Sequence, residues 1–218
     1  MGKSVVQLLE ARGISRRRFL GFCGAAAASL ALPRSAAGEM AKALASTTKP
    51  VVLWLEFQDC AGDTESLLRA TRPGVAEILL EILSLDYHET LMAAAGKQAE
   101  DARLAAMMQK GYVAVVEGSI PTGAGGVYCC VGGRSALDMA KEVCSGAAVT
   151  IAAGSCAAFG GIPAAKPNPT GACSVGDAVP GLKNLVNLPG CPVNVDNLVA
   201  LVVHQLTFGS LPAVDRNR

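Results

Sequence analysis

Val51-Val52-Leu53-Trp54-Leu55-Glu56, followed directly by Phe57-Gln58-Asp59-Cys60-Ala61-Gly62-Asp63, is the stretch that decides the fold class. Its first five residues form a continuous apolar run, which is typical of a strand buried on both faces of a parallel sheet. The residues from Gln58 onward are polar or small, and they include one cysteine and two carboxylates. We therefore expect a buried strand whose carboxyl end carries candidate ligands.

The same pattern, a strand-like run before a loop of small residues, recurs along the chain. It predicts further strands at Tyr112–Glu117, Ala147–Ala153 and Leu185–Leu188, and a possible short strand at Leu91–Ala94. Helices are predicted between the strands, at Thr64–Ala70, Gly74–Leu83, Lys97–Lys110, Ser135–Cys144 and Asn194–Thr207. Strands that alternate with helices predict an α/β fold with a doubly wound parallel sheet.

Cys60, Asp63, Cys156 and Cys191 all lie in loops that directly follow predicted strands. Loops that leave the carboxyl ends of parallel strands meet at one edge of the sheet, so we expect these side chains to converge. Three soft thiolates and one hard carboxylate predict a four-coordinate site for an iron–sulfur cluster or for zinc. Asp63 has a second interpretation, in which it only caps the helix that begins at Thr64.

Composition excludes several classes of protein. A chain of 218 residues with 51% hydrophobic and 17% charged residues can bury a good-sized core and is unlike a disordered protein. Positive charge is concentrated at the front, because residues 46–218 hold twelve Lys or Arg against sixteen Asp or Glu. No basic stripe remains outside the first 45 residues, so we expect no nucleic-acid partner.

Residues 1–45 have the pattern of an export signal. The basic stretch Ser15–Leu20 contains paired arginines and precedes the apolar run Gly21–Leu32, which is too short to cross a membrane. This pattern predicts a twin-arginine signal, cleaved after Ala45 or alternatively after Ala37. The folded domain is then 46–218, and the protein is periplasmic or bound to the outer face of the cytoplasmic membrane. Cofactor insertion before export explains the eight cysteines better than disulfides do.

Five segments resemble, in the same order, segments of the small subunit of nickel–iron hydrogenases: Trp54–Asp63, Leu85–Met92, Glu117–Pro121, Gly154–Ala157 and Pro189–Pro192. The resemblance, which runs from about Lys49 to the end of the chain, implies a flavodoxin-like domain with cluster ligands on loops at strand ends. It implies that Cys60, Cys156 and Cys191 hold a proximal 4Fe–4S cluster, with Asp63 at the fourth ligand position.

The resemblance also implies a partner and a direction of electron flow. A large subunit would carry the nickel–iron centre and oxidise H2, and this chain would pass the electrons on without a catalytic residue of its own. A membrane cytochrome b or a quinone-linked acceptor would receive them. We therefore expect no hydrogenase activity from this chain alone.

The chain departs from the family pattern in two ways. Most relatives have cysteine where Asp63 stands, so a harder ligand is expected here. No cysteine follows Cys191, and the chain stops where the region for medial and distal clusters would begin, so we expect a fragment or a truncated product. Gly62 and Gly161 stand where oxygen-tolerant relatives carry extra cysteines, which implies that a six-thiolate site is absent.

Three alternatives remain open at this point. The cluster-bearing subunit of NADH:quinone oxidoreductase shares the Gly-Ser-Cys-Ala and Pro-Gly-Cys-Pro motifs, but it has adjacent cysteines where Cys60 is alone. A structural zinc protein would use the same four residues in a closed tetrahedral site. An exported binding module with disulfides would have blocked thiols and no iron.

The other reactive side chains receive mostly structural interpretations. We expect Cys129, Cys130 and Cys144 to be small buried residues, and Cys173 to be a weak candidate for a replacement ligand. Glu56 and Glu117 end two strands, where they either face a partner and the cluster loop or cap helix amides. The two histidines, His88 and His204, are expected to be buried or interfacial.

Overall fold

The computed structural model describes residues 15–46, 49–71 and 73–213. The first fourteen residues of the predicted leader, residues 47–48 of the linker and the tail 214–218 lie outside this description. The described strands are β1 Val51–Glu56, β2 Ser84–His88, β3 Val113–Glu117, β4 Ile120–Pro121, β5 Cys130–Val131, β6 Arg134–Ser135, β7 Val149–Ala153, β8 Ala172–Cys173 and β9 Leu185–Leu188.

Five of these strands form the central sheet, in the order β2-β1-β3-β7-β9. The pairs β1–β3, β3–β7 and β7–β9 are all parallel. Counted along the chain, the five strands have the order 2-1-3-4-5 of a flavodoxin-like sheet, which confirms the predicted doubly wound α/β fold. The remaining strands form two small antiparallel pairs, β4 with β8 and β5 with β6.

The register of the sheet aligns the carboxyl ends of four strands. Glu56 pairs with Glu117, Glu117 pairs with Ala153, and Ala153 pairs with Leu188. Each of these residues is the last of its strand, so the segments that follow all leave the sheet at the same carboxyl-terminal edge. The predicted ligand loops after Glu56, Ala153 and Leu188 therefore start side by side.

The described helical segments are α1 Arg16–Ser29, α2 Arg34–Ser46, α3 Gly62–Leu68, α4 Val75–Glu77 continued by a π-turn at Ile78–Ile82, α5 Lys97–Met107, α6 Ala136–Gly146, α7 Gly154–Phe159, α8 Val175–Ala178 and α9 Val195–Phe208, with a 3-10 turn at Gly123–Gly126. Ser135 caps α6, as predicted, because its hydroxyl accepts from the N–H of Asp138 over 3.1 Å. Gly209 ends α9 in the left-handed conformation that helix ends favour.

Two predictions of secondary structure are wrong. The segment Leu91–Ala94 is not a strand, and the edge strand lies earlier, at Ser84–His88. The alternation in Ser84-Leu85-Asp86-Tyr87-His88 was the available signal, since edge strands carry polar residues on one face. The stretches 118–133 and 160–180, for which the sequence predicts neither strands nor helices, contain the short strands β4, β5 and β8 and helix α8.

The described chain divides into two compact units, and the folded domain of 46–218 stays a prediction. The larger unit, Val51–Ser66 with Leu85–Val193, contains the sheet and a core in which Leu53, Leu55 and Val116 are fully buried. In the smaller unit, α1, α2 and α9 pack on one another. Within the described ranges, no helix has the length and apolarity needed to span a membrane.

Candidate metal centre

A cavity of about 100 Å³ opens at the edge of the sheet where the strand ends are aligned. All four predicted ligands, Cys60, Asp63, Cys156 and Cys191, line this cavity, and Glu117 lines it as well. Cys60 and Cys191 are exposed, Cys156 is half-buried and Asp63 is buried. The convergence expected from the strand ends is therefore present.

Hydrogen bonds join the three loops that carry these residues. The N–H of Ser155 donates to the carbonyl of Gly190 over 2.7 Å, and the N–H of Gly190 donates to the Ser155 hydroxyl over 3.2 Å. The N–H of Val193 donates to Oδ1 of Asp63 over 2.5 Å, and the Ser66 hydroxyl donates to the Val193 carbonyl over 2.7 Å. The walls of the cavity are thus fixed to one another by main-chain groups.

Glycines leave room for the ligand side chains at two positions. A Cβ on Gly154, whose φ is +79°, would lie 2.1 Å from Oδ2 of Asp63. A Cβ on Gly161, whose φ is +52°, would lie 2.5 Å from Sγ of Cys156. Both glycines have a backbone conformation that disfavours other residues, and neither space can hold a side chain. Gly161 therefore has a steric role beside Cys156. This role is separate from the earlier observation that Gly161 stands where a cysteine could have been.

The structure places Asp63 inside helix α3, so the interpretation as a simple helix cap is wrong. The helix begins at Gly62, and the Asp63 carboxylate accepts from Val193 on another loop. The backbone N–H groups of Asp63 and Thr64 are instead bound by the carboxylate of Glu117, over 2.9 and 3.0 Å. Burial raises the pKa of Asp63, the Val193 hydrogen bond opposes this, and the Glu117 charge adds to it.

The pKa of the Cys156 thiol is affected by the other residues that line the cavity. Burial raises its pKa, and the neighbouring Cys191, Cys60 and Asp63 raise it further because another negative charge at this place is unfavourable. The N–H of Ile162 opposes the shift by donating to the Cys156 sulfur. A positive metal centre would remove the penalty, because thiolates bound to a cation are held deprotonated.

A buried polar network lies behind the cavity. The Thr64 hydroxyl lies 2.6 Å from Oε2 of Glu117 and 3.2 Å from Nε2 of His88. His88 is fully buried and stacks on Trp54, with ring centroids 5.3 Å apart. Oε2 of Glu56 accepts from the Thr90 hydroxyl over 2.6 Å. The prediction of a structural His88 agrees with this burial, and Glu117 caps the amides of α3.

The spacing of the donors bears on the choice between a cluster and a single zinc ion. Thiolates bound to one tetrahedral zinc at 2.3 Å lie about 3.8 Å from each other. In the described part of the chain, the one group of three donors within 4.8 Å of each other is Glu56, Asp59 and Glu117. Cys60, Cys156 and Cys191 do not form such a group, so their sulfur atoms are not gathered as closely as the ligands of one zinc ion.

The acidic group itself is explained by hydrogen bonding. Both oxygens of Glu117 accept from neighbouring donors, and Glu56 accepts from Thr90. Oδ1 of Asp59 accepts from the N–H of Ala61 over 2.8 Å. Burial raises the pKa of Asp59 to about 6, and the charges of Glu117 and Glu56 add to this effect. We therefore interpret the group as part of the polar network and not as a cation site.

The remaining cysteines lie away from the cavity lining. Cys144 is buried, as predicted, and Cys129 is half-buried against the core. The prediction for Cys130 is wrong, because this residue begins β5 and its side chain is exposed. Alternation along the strand turns neighbouring side chains to opposite faces. The sulfur of Cys173 lies 3.4 Å from the carbonyl of Ile120, so Cys173 is not placed to replace a ligand.

Comparisons with known proteins show which family the chain resembles. The family model described as NADH ubiquinone oxidoreductase, 20 Kd subunit, matches residues 60–205. The Hydrogenase-2 small chain of Escherichia coli (strain K12) is 47% identical over 214 residues, which is 97% of this chain and 57% of that protein. The periplasmic NiFe hydrogenase small subunit 1 of Nitratidesulfovibrio vulgaris is 44% identical over 95% of this chain and 66% of that protein.

A solved structure has the same fold. The reduced, active form of the Ni-Fe-Se hydrogenase from Desulfomicrobium baculatum superposes with a TM-score of 0.74 at 34% identity. The match covers 78% of this chain and 68% of that chain. This chain spans a little over half the length of the first of these curated relatives.

Proposed function

Because the chain belongs to the family of nickel–iron hydrogenase small subunits, we propose that it carries electrons away from a hydrogen-oxidising centre in a large partner subunit. The carrier is one proximal 4Fe–4S cluster in the cavity at the sheet edge. The reaction in the partner splits H2 into two protons and two electrons, and this chain receives the electrons.

The observation that carries this proposal is the arrangement of three cysteines and one aspartate around one cavity of about 100 Å³. Cys60, Cys156 and Cys191 would supply thiolates and Asp63 a carboxylate oxygen, each to a different iron. Fe–S clusters are held by four such donors, and their sulfides accept hydrogen bonds from nearby amides. When bound, the cluster supplies one-electron transfer.

The chain's own residues orient the donors and limit the access of water. Glu117 and Val193 fix the loop and helix that carry Cys60 and Asp63. Gly154 and Gly161 leave space that any side chain would fill. No group here is proposed as a nucleophile or general base, so the isolated chain should not turn over H2.

The partner is proposed to cover the mouth of the cavity. Phe159 and Ile162 lie close to Cys156 in the chain and are 53% and 82% exposed. Exposed apolar surface beside a functional site can be covered by another protein, and we propose that these two side chains contact the large subunit. A large subunit seated there would bring its metal centre close to the cluster and exclude water from both.

The leader is proposed to direct export by the twin-arginine route to the periplasmic side of the membrane. Arg16 and Arg17 open helix α1, and the E. coli and N. vulgaris relatives are hydrogenase small subunits, the second of them named periplasmic. At the outer face of the membrane the assembled enzyme can reach a membrane cytochrome b or another quinone-linked acceptor, which we propose as the next carrier.

The test is coexpression of the full chain with its large subunit and the maturation proteins, followed by anaerobic purification. We expect iron and acid-labile sulfide in equal amounts, a paramagnetic signal on reduction and H2-dependent reduction of a dye. A protein without iron or sulfide would overturn the proposal. Changing Arg16 and Arg17 together to lysine should keep the precursor in the cytoplasm, and unchanged export would contradict the proposed route.

A further inference from the structure

We propose that Glu117 is a positioning residue that also holds a fixed negative charge beside the metal centre and thereby keeps its reduction potential low. The inference rests on the proposed function, since it needs a cluster in the cavity. It goes beyond that function by assigning a role to a residue outside the ligand set.

Glu117 occupies a central place in the structure. It is the last residue of β3, the middle strand of the sheet, and it is 1% exposed. Glu117 lines the cavity together with the four proposed ligands. Glu56, its partner in the register, is the last residue of β1 but does not line the cavity.

Four donors point at this carboxylate. Oε1 accepts from the N–H of Asp63 over 2.9 Å. Oε2 accepts from Nε1 of Trp54 over 3.0 Å, from the N–H of Thr64 over 3.0 Å and from the Thr64 hydroxyl over 2.6 Å. All four groups are hydrogen-bond donors, which is the surrounding that carboxylate oxygens, as acceptors, can satisfy.

The Thr64 hydroxyl has three polar neighbours. Its oxygen lies 2.6 Å from Oε2 of Glu117, 3.2 Å from Nε2 of His88 and 3.3 Å from Oε1 of Glu56. The Nδ1 atom of His88 faces the N–H groups of Thr90 and Leu91, over 3.2 and 3.3 Å, and Oε2 of Glu56, over 3.3 Å. The contact with Glu117 is the shortest of the three that Thr64 makes, so Glu117 is the main acceptor of its hydroxyl.

The positioning role follows from which donors are bound. Two of them are the backbone N–H groups of Asp63 and Thr64, in the first turn of α3. Glu117 thus fixes the backbone of a proposed ligand to the central strand. Val193 fixes the side chain of the same ligand from the opposite loop.

The electrostatic role follows from burial. None of the four donors to Glu117 carries a formal charge, so its negative charge is stabilised by dipoles and is not cancelled by a cation. Charges away from water interact more strongly, because the local dielectric is lower. A fixed negative charge beside a cluster disfavours the arrival of an electron, and this lowers the reduction potential.

The experiment uses the full chain coexpressed with its large subunit. Iron and sulfide are measured first, and the midpoint potential of the cluster is then determined by paramagnetic resonance during a redox titration. Glu117→Gln should retain the cluster and shift its potential upward. Glu56→Gln, the same chemical change one strand away, should shift it upward by a smaller amount.

A second variant has an expected effect of opposite sign. Thr64→Val removes the shortest donor and keeps the charge of Glu117, so the potential should fall below that of the wild type. This variant decides the question if the Glu117→Gln protein carries no iron. An unchanged or higher potential in Thr64→Val would overturn the inference, as would a Glu117→Gln shift no larger than that of Glu56→Gln. Absence of iron from the wild type would instead overturn the proposed function.

Discussion

The backbone N–H of Val193 donates a hydrogen bond to Oδ1 of Asp63 over 2.5 Å, although the two residues are 130 positions apart. This contact joins helix α3 to the loop after β9 at the candidate metal centre. It also orients the carboxylate, whose other oxygen lies against Gly154. Asp63 is therefore fixed at the edge of the cavity by a residue from a distant loop.

Asp63 is the first target for substitution. Asp63→Ala should leave a cluster with about three irons per chain in place of about four, because only the three thiolates remain. Asp63→Cys should retain four irons and change the paramagnetic signal, because a soft donor replaces a hard one. Iron and sulfide analysis with paramagnetic resonance checks both.

Asp63→Asn is the matched control for the hydrogen bond, because an amide oxygen can still accept from Val193 while the negative charge is lost. Loss of the fourth iron in this variant would show that the charge is needed for ligation. Four irons and an unaltered signal in both Asp63→Ala and Asp63→Cys would show that Asp63 is not a ligand.

Gly154 gives a second prediction. An alanine there would lower the free energy of unfolding by about 1–2 kcal/mol because of its positive φ. Its Cβ would also clash with the Asp63 carboxylate. We expect Gly154→Ala to lower the amount of bound iron and the unfolding temperature together. Gly111→Ala is the control, since Gly111 has a φ of +87° but open space around it. Equal loss of iron in both variants would refute the steric argument.

The sequence predicts the site well because the determinants are local. A buried run such as Val51–Leu55 and a small-residue loop such as Gly154–Ala157 identify strand ends without any long-range information. Convergence then follows from the parallel sheet alone. The hydrogen bonds of Glu117 could not be predicted, because they join residues 53, 54 and 63 positions apart and depend on rotamers. Helix α7 was missed since its six residues carry no periodic signal.

The exposed segment that follows Cys156 supplies a third prediction, which concerns the proposed large subunit. Ile162→Asp should weaken assembly by about 1 kcal/mol or more, which corresponds to about a fivefold rise in Kd, because an exposed apolar contact becomes charged. Met108→Asp is a control with 86% exposure on the end of α5. Copurification at limiting subunit concentration measures the effect. Equal loss in both variants would argue for a general effect of surface charge.

The pH dependence of stability follows from Glu89. Burial raises the pKa of Glu89 from its ordinary 4.5 to about 8, and the charges of Glu56 and Asp59 add to the shift. Between pH 4.5 and about 8, Glu89 is protonated in the folded chain but ionised in the unfolded chain. The contribution of Glu89 to the free energy of unfolding is therefore full below pH 4.5, and it is lost as pH rises through about 8. Glu89→Gln should flatten this part of the profile in urea unfolding. A slope equal to that of the wild type would contradict the assignment.

The leader yields a last prediction, for the uncleaved precursor. In the smaller unit, Cys23 on α1 is fully buried where α1, α2 and α9 pack together, and burial raises its pKa to about 11. Little thiolate is then present at neutral pH, and reagents cannot reach the sulfur. We expect Cys23 to resist alkylation until denaturant is added, whereas the exposed Cys130 reacts at once. Mass spectrometry of peptides after a timed pulse of reagent measures both rates. Rapid labelling of Cys23 in the native precursor would show that residues 16–46 are not docked as a folded part of the chain.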